Sequence, residues 1–192
     1  MAKPMVTIVD YDESWPQEFT RLAADLRRAL GELALRIDHI GSTSVPGLAA
    51  KDLIDIQVTV EQLDGAVADA LAAIGYTQRT GITADHRPPR ATGPESDWEK
   101  RLFAPPPGQR PTNLHVRIAG RANQRYALLF RDYLRAHPMA ADAYAELKRR
   151  LAQWMPDTAT YADVKDPACD LILCAAEAWA ATTSWSPGPS DG

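Results

Sequence analysis

In the segment HIGSTSVPGLAAKDLIDIQVTV, residues 39–60, a Gly-Ser pair at Gly41 and Ser42 closes one β-like run, and Asp55 follows thirteen positions after Ser42 inside a second. A small-residue turn lets backbone N–H groups and a hydroxyl approach a ligand phosphate closely. A carboxylate on the next strand is where a Mg²⁺ bridging to that phosphate would be held. Gly41, Ser42, Thr43 and Ser44 are therefore candidate phosphate contacts, and Asp55 is the candidate metal ligand. A second carboxylate would be needed two positions on, and that residue is Gln57. The order of parts suits nucleotidyl or phosphoryl transfer, with one part missing. Taken alone, the Gly-Ser turn is equally an ordinary capped turn.

A second polar row comes from residues 113–118, NLHVRI. Successive strand side chains alternate faces. Asp55, Gln57 and Thr59 thus oppose Ile54, Ile56, Val58 and Val60, while Asn113, His115 and Arg117 oppose Leu114, Val116 and Ile118. If the two strands are neighbours, Asp55, Gln57, His115 and Arg117 project together as the floor of a cleft. An antiparallel sheet with one solvated face produces the same alternation.

Other candidates are positively charged. Lys51, just before the Asp55 strand, could meet a phosphate as a point charge, or be a solvated strand end. In a helix after Asn123, Arg125 lies near one face with Arg121 and Asp132, while Arg131 pairs with Arg135. An arginine fork suits phosphate, although charged helix faces are usually just solvated. The Lys148, Arg149, Arg150 run reads as such a solvated face. His39 reads as a packed histidine, His86 as part of a lid with Asp85 and Arg87, and His137 as a helix boundary. No His or Cys pair has zinc-ligand spacing, and no G-x-S-x-G occurs.

The elements that must position these groups follow from periodicity. Residues 6–9, 34–40, 53–60, 76–80, 98–103 and 113–118 read as strands. Helices are expected from Ser14 to Gly31, over 62–74, 123–136 and 138–154, and from about 167 to 181, with Pro156 closing the fourth. Residues 81–97 read as a loop. The sum is an α+β domain over residues 1–182, with a small central sheet and a helical C-terminal third, followed by a flexible tail over 183–192.

At 192 residues, 45% hydrophobic and 24% charged, the chain suits one globular domain. Its net charge of −4 gives no general electrostatic reason to expect nucleic acid as a partner. Cys169 and Cys174, five apart in one helical pattern, are not placed for a disulfide, which suits a reducing compartment. No apolar run is long enough for a membrane span, and no signal peptide is visible. A cytoplasmic protein is the expectation.

HIGSTSVPGLAAKDLIDIQV, NLHVR, ANQRYALLFRDYLRAHP and YADVK occur in this order and together resemble the GrpB family over about residues 6–180. The resemblance implies a nucleotidyltransferase-like fold, a mixed central sheet flanked by helices. It places the Gly-Ser element on Gly41 and Ser42, the first carboxylate on Asp55, the second on Gln57 and a third acidic position at His115. Tyr161 and Lys165 match the closing motif and would cover the cleft. Relatives fused behind dephospho-CoA kinase imply an assisting or regulatory part there. The ligand expected is a nucleotide or small phosphorylated metabolite, with Mg²⁺ as its cofactor. The role is either transfer to an unknown acceptor, with Asp55 and His115 at the chemistry, or non-catalytic, chaperone-like binding. A neutral amide and an imidazole are poor Mg²⁺ ligands, which weakens a two-metal mechanism.

Overall fold

The computed structural model describes residues 6–155 and 157–192. Five strands form one sheet: β1 (Arg36–Ile40), β2 (Ile54–Val60), β3 (Thr77–Gln78), β4 (Arg101–Ala104) and β5 (Thr112–Ile118). Their order is β1-β2-β5-β4-β3, with β2 and β5 parallel and every other pair antiparallel. The helices are α1 (Trp15–Leu30), α2 (Gly65–Ala73), α3 (Ala122–Ala136), α4 (Pro138–Trp154) and α5 (Thr158–Thr183). This is the α+β architecture with a helical last third that periodicity predicts, and the mixed sheet flanked by helices that the resemblance implies. Among the described residues no helix is long and apolar enough to cross a membrane.

Alternation divides the sheet into two unlike faces. Ile54, Ile56, Val58 and Val60 of β2 and Leu114 and Val116 of β5 join Trp15, Phe19, Leu26 and Leu30 of α1 and Val67 and Leu71 of α2 in the main core. Each large aliphatic side chain buried there is worth about 1.5–3 kcal/mol. The opposite face is polar and lies under α3. Because β2 and β5 run parallel in register, Asp55 stands beside Asn113, Gln57 beside His115 and Thr59 beside Arg117. The neighbour relation on which the cleft floor depends is present.

Several elements depart from the sequence expectation. Residues 6–9 form a single bridge, Val9 to Ala50, not a strand. Helix α5 starts at Thr158 and continues through Pro167, its first turn held by the Asp157 carboxylate accepting from the Thr160 N–H. The expectation that Pro156 closes α4 falls outside the described residues. The tail lies along the free edge of β1 instead of fraying. Ile37 N–H donates to Ser190 Oγ (2.9 Å), Gly192 N–H to the Ile37 carbonyl (3.0 Å) and His39 N–H to Asp191 Oδ2 (3.0 Å). Covering an open strand edge in this way satisfies donors that would otherwise invite another chain.

Candidate functional site

The Gly41–Ser44 turn crosses the end of β1 directly above Asp55. Gly41 has φ 70° and ψ −172°, a conformation open essentially to glycine alone. A Cβ at Gly41 would lie 2.4 Å from Asp55 Oδ2. The glycine expected to admit a ligand phosphate is thus required first by the carboxylate beneath it. Ser44 and Val45 N–H groups are used within the turn, and Ser44 Oγ donates to the Gly41 carbonyl (2.6 Å). Thr43 Oγ1 turns back to His39 Nε2 (3.0 Å). Ser42 alone of the three hydroxyls receives a cation, Lys148 Nζ, at 2.8 Å.

Two adjoining chambers share Gly41, Ser42, Asp55, Tyr144 and Lys165 as walls. The first, about 550 Å³, lies between the Gly41 turn, the start of β2 and helices α4 and α5, and Lys51, Lys148 and Lys165 all line it. Lys148 is 3% exposed and Lys51 sits 4.4 Å above the Tyr161 ring. Burial, then the nearby Lys165, lowers the Lys148 ammonium to about 7, and the same two causes lower Lys51. Lys165 goes the other way: burial would lower it, but Cys169 (3.3 Å) and Asp166 (3.6 Å) raise it. For Lys51 and Lys148, an anion in the cavity would relieve the repulsion.

The second chamber, about 250 Å³, is bounded by Trp98, Tyr126, Phe130, His115 and Arg117. Here the polar floor is bonded to itself. Arg117 donates to Asp85 through Nε (2.8 Å) and Nη2 (2.9 Å), and to Gln57 Oε1 through Nη1 (2.6 Å). Lys100 Nζ reaches Asp85 Oδ1 at 2.6 Å, and Asn123 Nδ2 reaches Oδ2 at 3.0 Å. Burial opposes ionisation of Asp85, but Arg117 and Lys100 more than offset it and hold the carboxyl far below the usual range. Asp85 therefore pins the loop expected to be a lid. Further backbone bonds tie it from Asp85 N to Trp98 O and from Lys100 N to Thr83 O. His86 reaches Asp170 of α5 at 3.0 Å.

His115 sits between these groups. Its Nδ1 faces Lys100 Nζ and Arg117 Nη2, each at 3.3 Å, so Nδ1 accepts and Nε2 carries the hydrogen, 3.6 Å from Asp55 Oδ1. Burial and then Arg117 lower this imidazole to about 4, leaving it neutral at pH 7. Burial alone would raise Asp55, but His115 and the Asn113 Nδ2 donor (3.0 Å) hold it below the usual carboxylate range.

A two-metal centre does not fit this set. Gln57 is fully buried and committed to Arg117 and the Gln124 carbonyl, and His115 presents an N–H towards Asp55. Among the described residues no three His, Cys, Asp or Glu side chains gather to hold a metal ion.

The sequence candidates fall into three groups. Gly41, Ser42, Thr43, Lys51, Asp55, Tyr161 and Lys165 line the first chamber, and His115 and Arg117 the second. Gln57 lies beneath the floor, while Ser44 faces a separate hollow beside Arg135. Arg125 and Arg131 line neither chamber, contrary to expectation. Arg125 pairs with Glu177 at the surface and stands 5.4 Å from the Trp185 ring. Arg131 is buried, bonded to the His39 carbonyl and Asp191 (3.0 and 2.7 Å). Two residues that line the chambers carry more of the geometry than the sequence suggested. Lys148, read as solvated, follows Ala141, Tyr144 and Ala145 on the buried stripe of α4, a helical period that could have revealed it. Asp85 left no periodic signal.

Comparison with known proteins adds family membership. The profile described as GrpB protein matches residues 5–174. A dephospho-CoA kinase of Mycolicibacterium paratuberculosis is 40% identical over 97% of this chain but only 50% of its own length. The chain spans about half the length of the curated kinases it matches. A UPF0157 protein of Halalkalibacterium halodurans is 39% identical over 90% of this chain and 83% of its own. The crystal structure of conserved protein GrpB from Enterococcus faecalis superposes with a TM-score of 0.71 at 31% identity, covering 90% of this chain and 99% of that one. The chain belongs to the GrpB family.

Proposed function

We propose that this chain binds a nucleotide or another small phosphorylated metabolite, with the phosphate groups in the first chamber. The carrying observation is the convergence of Lys51, Lys148 and Lys165 with Ser42 around one cavity. A phosphate there would meet point charges and a hydroxyl, the donor set lysine-based phosphate sites use. Gln57, spent on Arg117, favours binding without two-metal turnover. The dephospho-CoA kinases among the relatives place CoA precursors among the ligands to try, as partners of an assisting domain.

The second reading is Mg²⁺-assisted transfer, favoured by an ionised Asp55 beside Ser42 and a neutral His115. Asp55 with the ligand's own phosphates would then hold a single ion. Bound Mg²⁺ would supply charge neutralisation at the phosphate, and Lys51 and Lys165 would orient it.

A thermal-shift screen of nucleotides, CoA precursors and inorganic phosphates, with and without Mg²⁺, tests both. A ligand at a hundred times its Kd adds about 2.7 kcal/mol, which for this size is a rise of roughly 5–10 °C. The rise should vanish in Lys165→Met. If no phosphorylated compound stabilises the wild type at millimolar concentration, the reading fails.

A further inference from the structure

Behind Ser42 stands an amine held on three sides. Lys148 Nζ lies 2.8 Å from Ser42 Oγ, bonds to the Ala49 carbonyl, and packs 4.7 Å from the centroid of the Tyr144 ring. Tyr144 is itself fixed, 6% exposed, with its hydroxyl 3.4 Å from Cys169 Sγ. The Ser42 side chain is partly open and borders both chambers, whereas Lys148 is buried and borders only the first, behind Ser42. A nucleophile exposed to the cavity, a base within hydrogen-bond reach, and a third group orienting the base are the parts of an activated serine.

We propose that Ser42 is a nucleophile and Lys148 its general base, acting on the phosphorus of a phosphoric ester or anhydride held in the first chamber. The substrate class rests on the phosphorylated-ligand reading above; the pair rests on its own geometry. In the step, an Oγ–P bond forms as the P–O bond to the leaving group breaks. The Ser42 proton passes to Lys148 Nζ and from there to the leaving oxygen, which departs as an alcohol or a shorter phosphate. Water attacking the resulting phosphoserine along the same proton path would return free Ser42 and phosphate. Lys148 Nζ donates to the Ala49 carbonyl and to Ser42 Oγ; in the neutral form the position facing Oγ is the lone pair that receives the Ser42 proton. Lys51 and Lys165 stay beside the cavity to meet the phosphoryl oxygens.

Electrostatics agrees with this assignment. Burial pulls Lys148 down to about 7, Lys165 and Arg149 add repulsion, and Cys169 and Asp55 pull the other way. A base poised near the working pH is the effective one. The metal-poor floor is then no handicap, since this step needs no second carboxylate.

A fluorophosphonate ester, whose fluoride leaves when a serine attacks phosphorus, is the probe. Intact mass and peptide mapping of the full chain should show one adduct, on Ser42, absent from Ser42→Ala. The labelling rate should rise as pH passes through about 7, and saturating inorganic pyrophosphate should slow it. Lys148→Arg keeps the charge but cannot give up its proton. It should label about a hundredfold more slowly. No Ser42 adduct between about pH 6 and about pH 9, or an unchanged rate in Lys148→Arg, overturns the pair. If Lys148→Arg does not fold, a wild-type labelling rate that is flat with pH overturns it equally. Labelling of Ser42 that pyrophosphate neither slows nor accompanies with a thermal shift would remove the phosphorylated substrate and leave the pair standing.

Discussion

Replacing Asp85 by Asn should cost more stability than any other single-atom change on the polar face. The carboxylate receives Arg117 twice, at 2.8 and 2.9 Å, Lys100 at 2.6 Å and Asn123 at 3.0 Å. Arg117 is 5% exposed and Lys100 9%. Asparagine keeps the shape but removes the charge and turns an NH₂ towards a cation, leaving two buried positive groups without a counter-ion. Breaking a buried pair from one side costs about 3–5 kcal/mol, a large share of the roughly 5–15 kcal/mol that holds a domain of this kind. The melting temperature should fall by roughly 6–20 °C. Urea unfolding followed by tryptophan fluorescence reads it directly, with Trp98 close to the site. Adding Lys100→Met to Asp85→Asn should recover part of the loss, because one unpaired cation goes with it.

The pH dependence fixes the sign. A carboxyl held below its unfolded value contributes stability that is present above that value, about 3.9, and is lost as pH falls towards the folded one. Wild-type stability should therefore drop below about pH 4, with a shallower slope in Asp85→Asn. An Asn variant within about 1 kcal/mol of wild type would refute the reasoning, by showing that water screens these contacts.

Gly41→Ala should destabilise by about 1–3 kcal/mol from backbone strain, with a further cost for a Cβ 2.4 Å from Asp55 Oδ2, and should abolish the ligand-induced thermal shift. A stable variant with an unchanged shift would show that the turn is not constrained by Asp55. Arg131→Met should lower the melting temperature of the free protein and leave ligand affinity alone, whereas Arg125→Ala should change neither; titration calorimetry beside melting curves separates the two. Asp55→Asn should preserve or tighten Mg²⁺-free phosphate binding, since it removes a negative charge beside an anion. Loss of binding confined to the Mg²⁺ arm of the screen would favour the single-ion transfer reading.

The parts legible in the sequence were those that local periodicity encodes. The alternation of residues 54–60 and 113–118 carried the two-faced sheet, and the Gly-Ser turn led to Asp55. What stayed hidden depended on contacts far apart in the chain. The docked tail needs the open edge of β1, more than 150 positions earlier, and nothing in SWSPGPSDG signals it. Pro167 argued for a helix start because it lacks an N–H, yet a helix already capped by Asp157 passes through it. Charge type misled twice in the same way. Lys148 and Arg131 looked solvated or ligand-facing because lysine and arginine are seldom buried, but both occupy apolar stripes of their helices and bond to backbone carbonyls.

That inversion explains why the cleft is divided as it is. Around Gln57, Arg117, Asp85 and Lys100, donors and acceptors are matched to each other, so a ligand entering there would have to break charge-assisted bonds before making its own. Around Ser42 the lysines face a cavity in which Asp55 is the carboxylate shared by both chambers, and Asp55 is already engaged by Asn113 and His115. Anionic groups gain most where cations are desolvated and least compensated. On the phosphate-binding proposal, the phosphate end of a ligand would sit by Lys51 and Lys148, with Lys165 on the adjoining wall. The aromatic walls of the smaller chamber, Trp98, Tyr126 and Phe130, are left for whatever less polar part the ligand carries. A ligand whose phosphate alone is recognised should bind equally well with that part removed. One that spans both chambers should lose affinity on truncation, and comparing a nucleotide with inorganic pyrophosphate distinguishes the two.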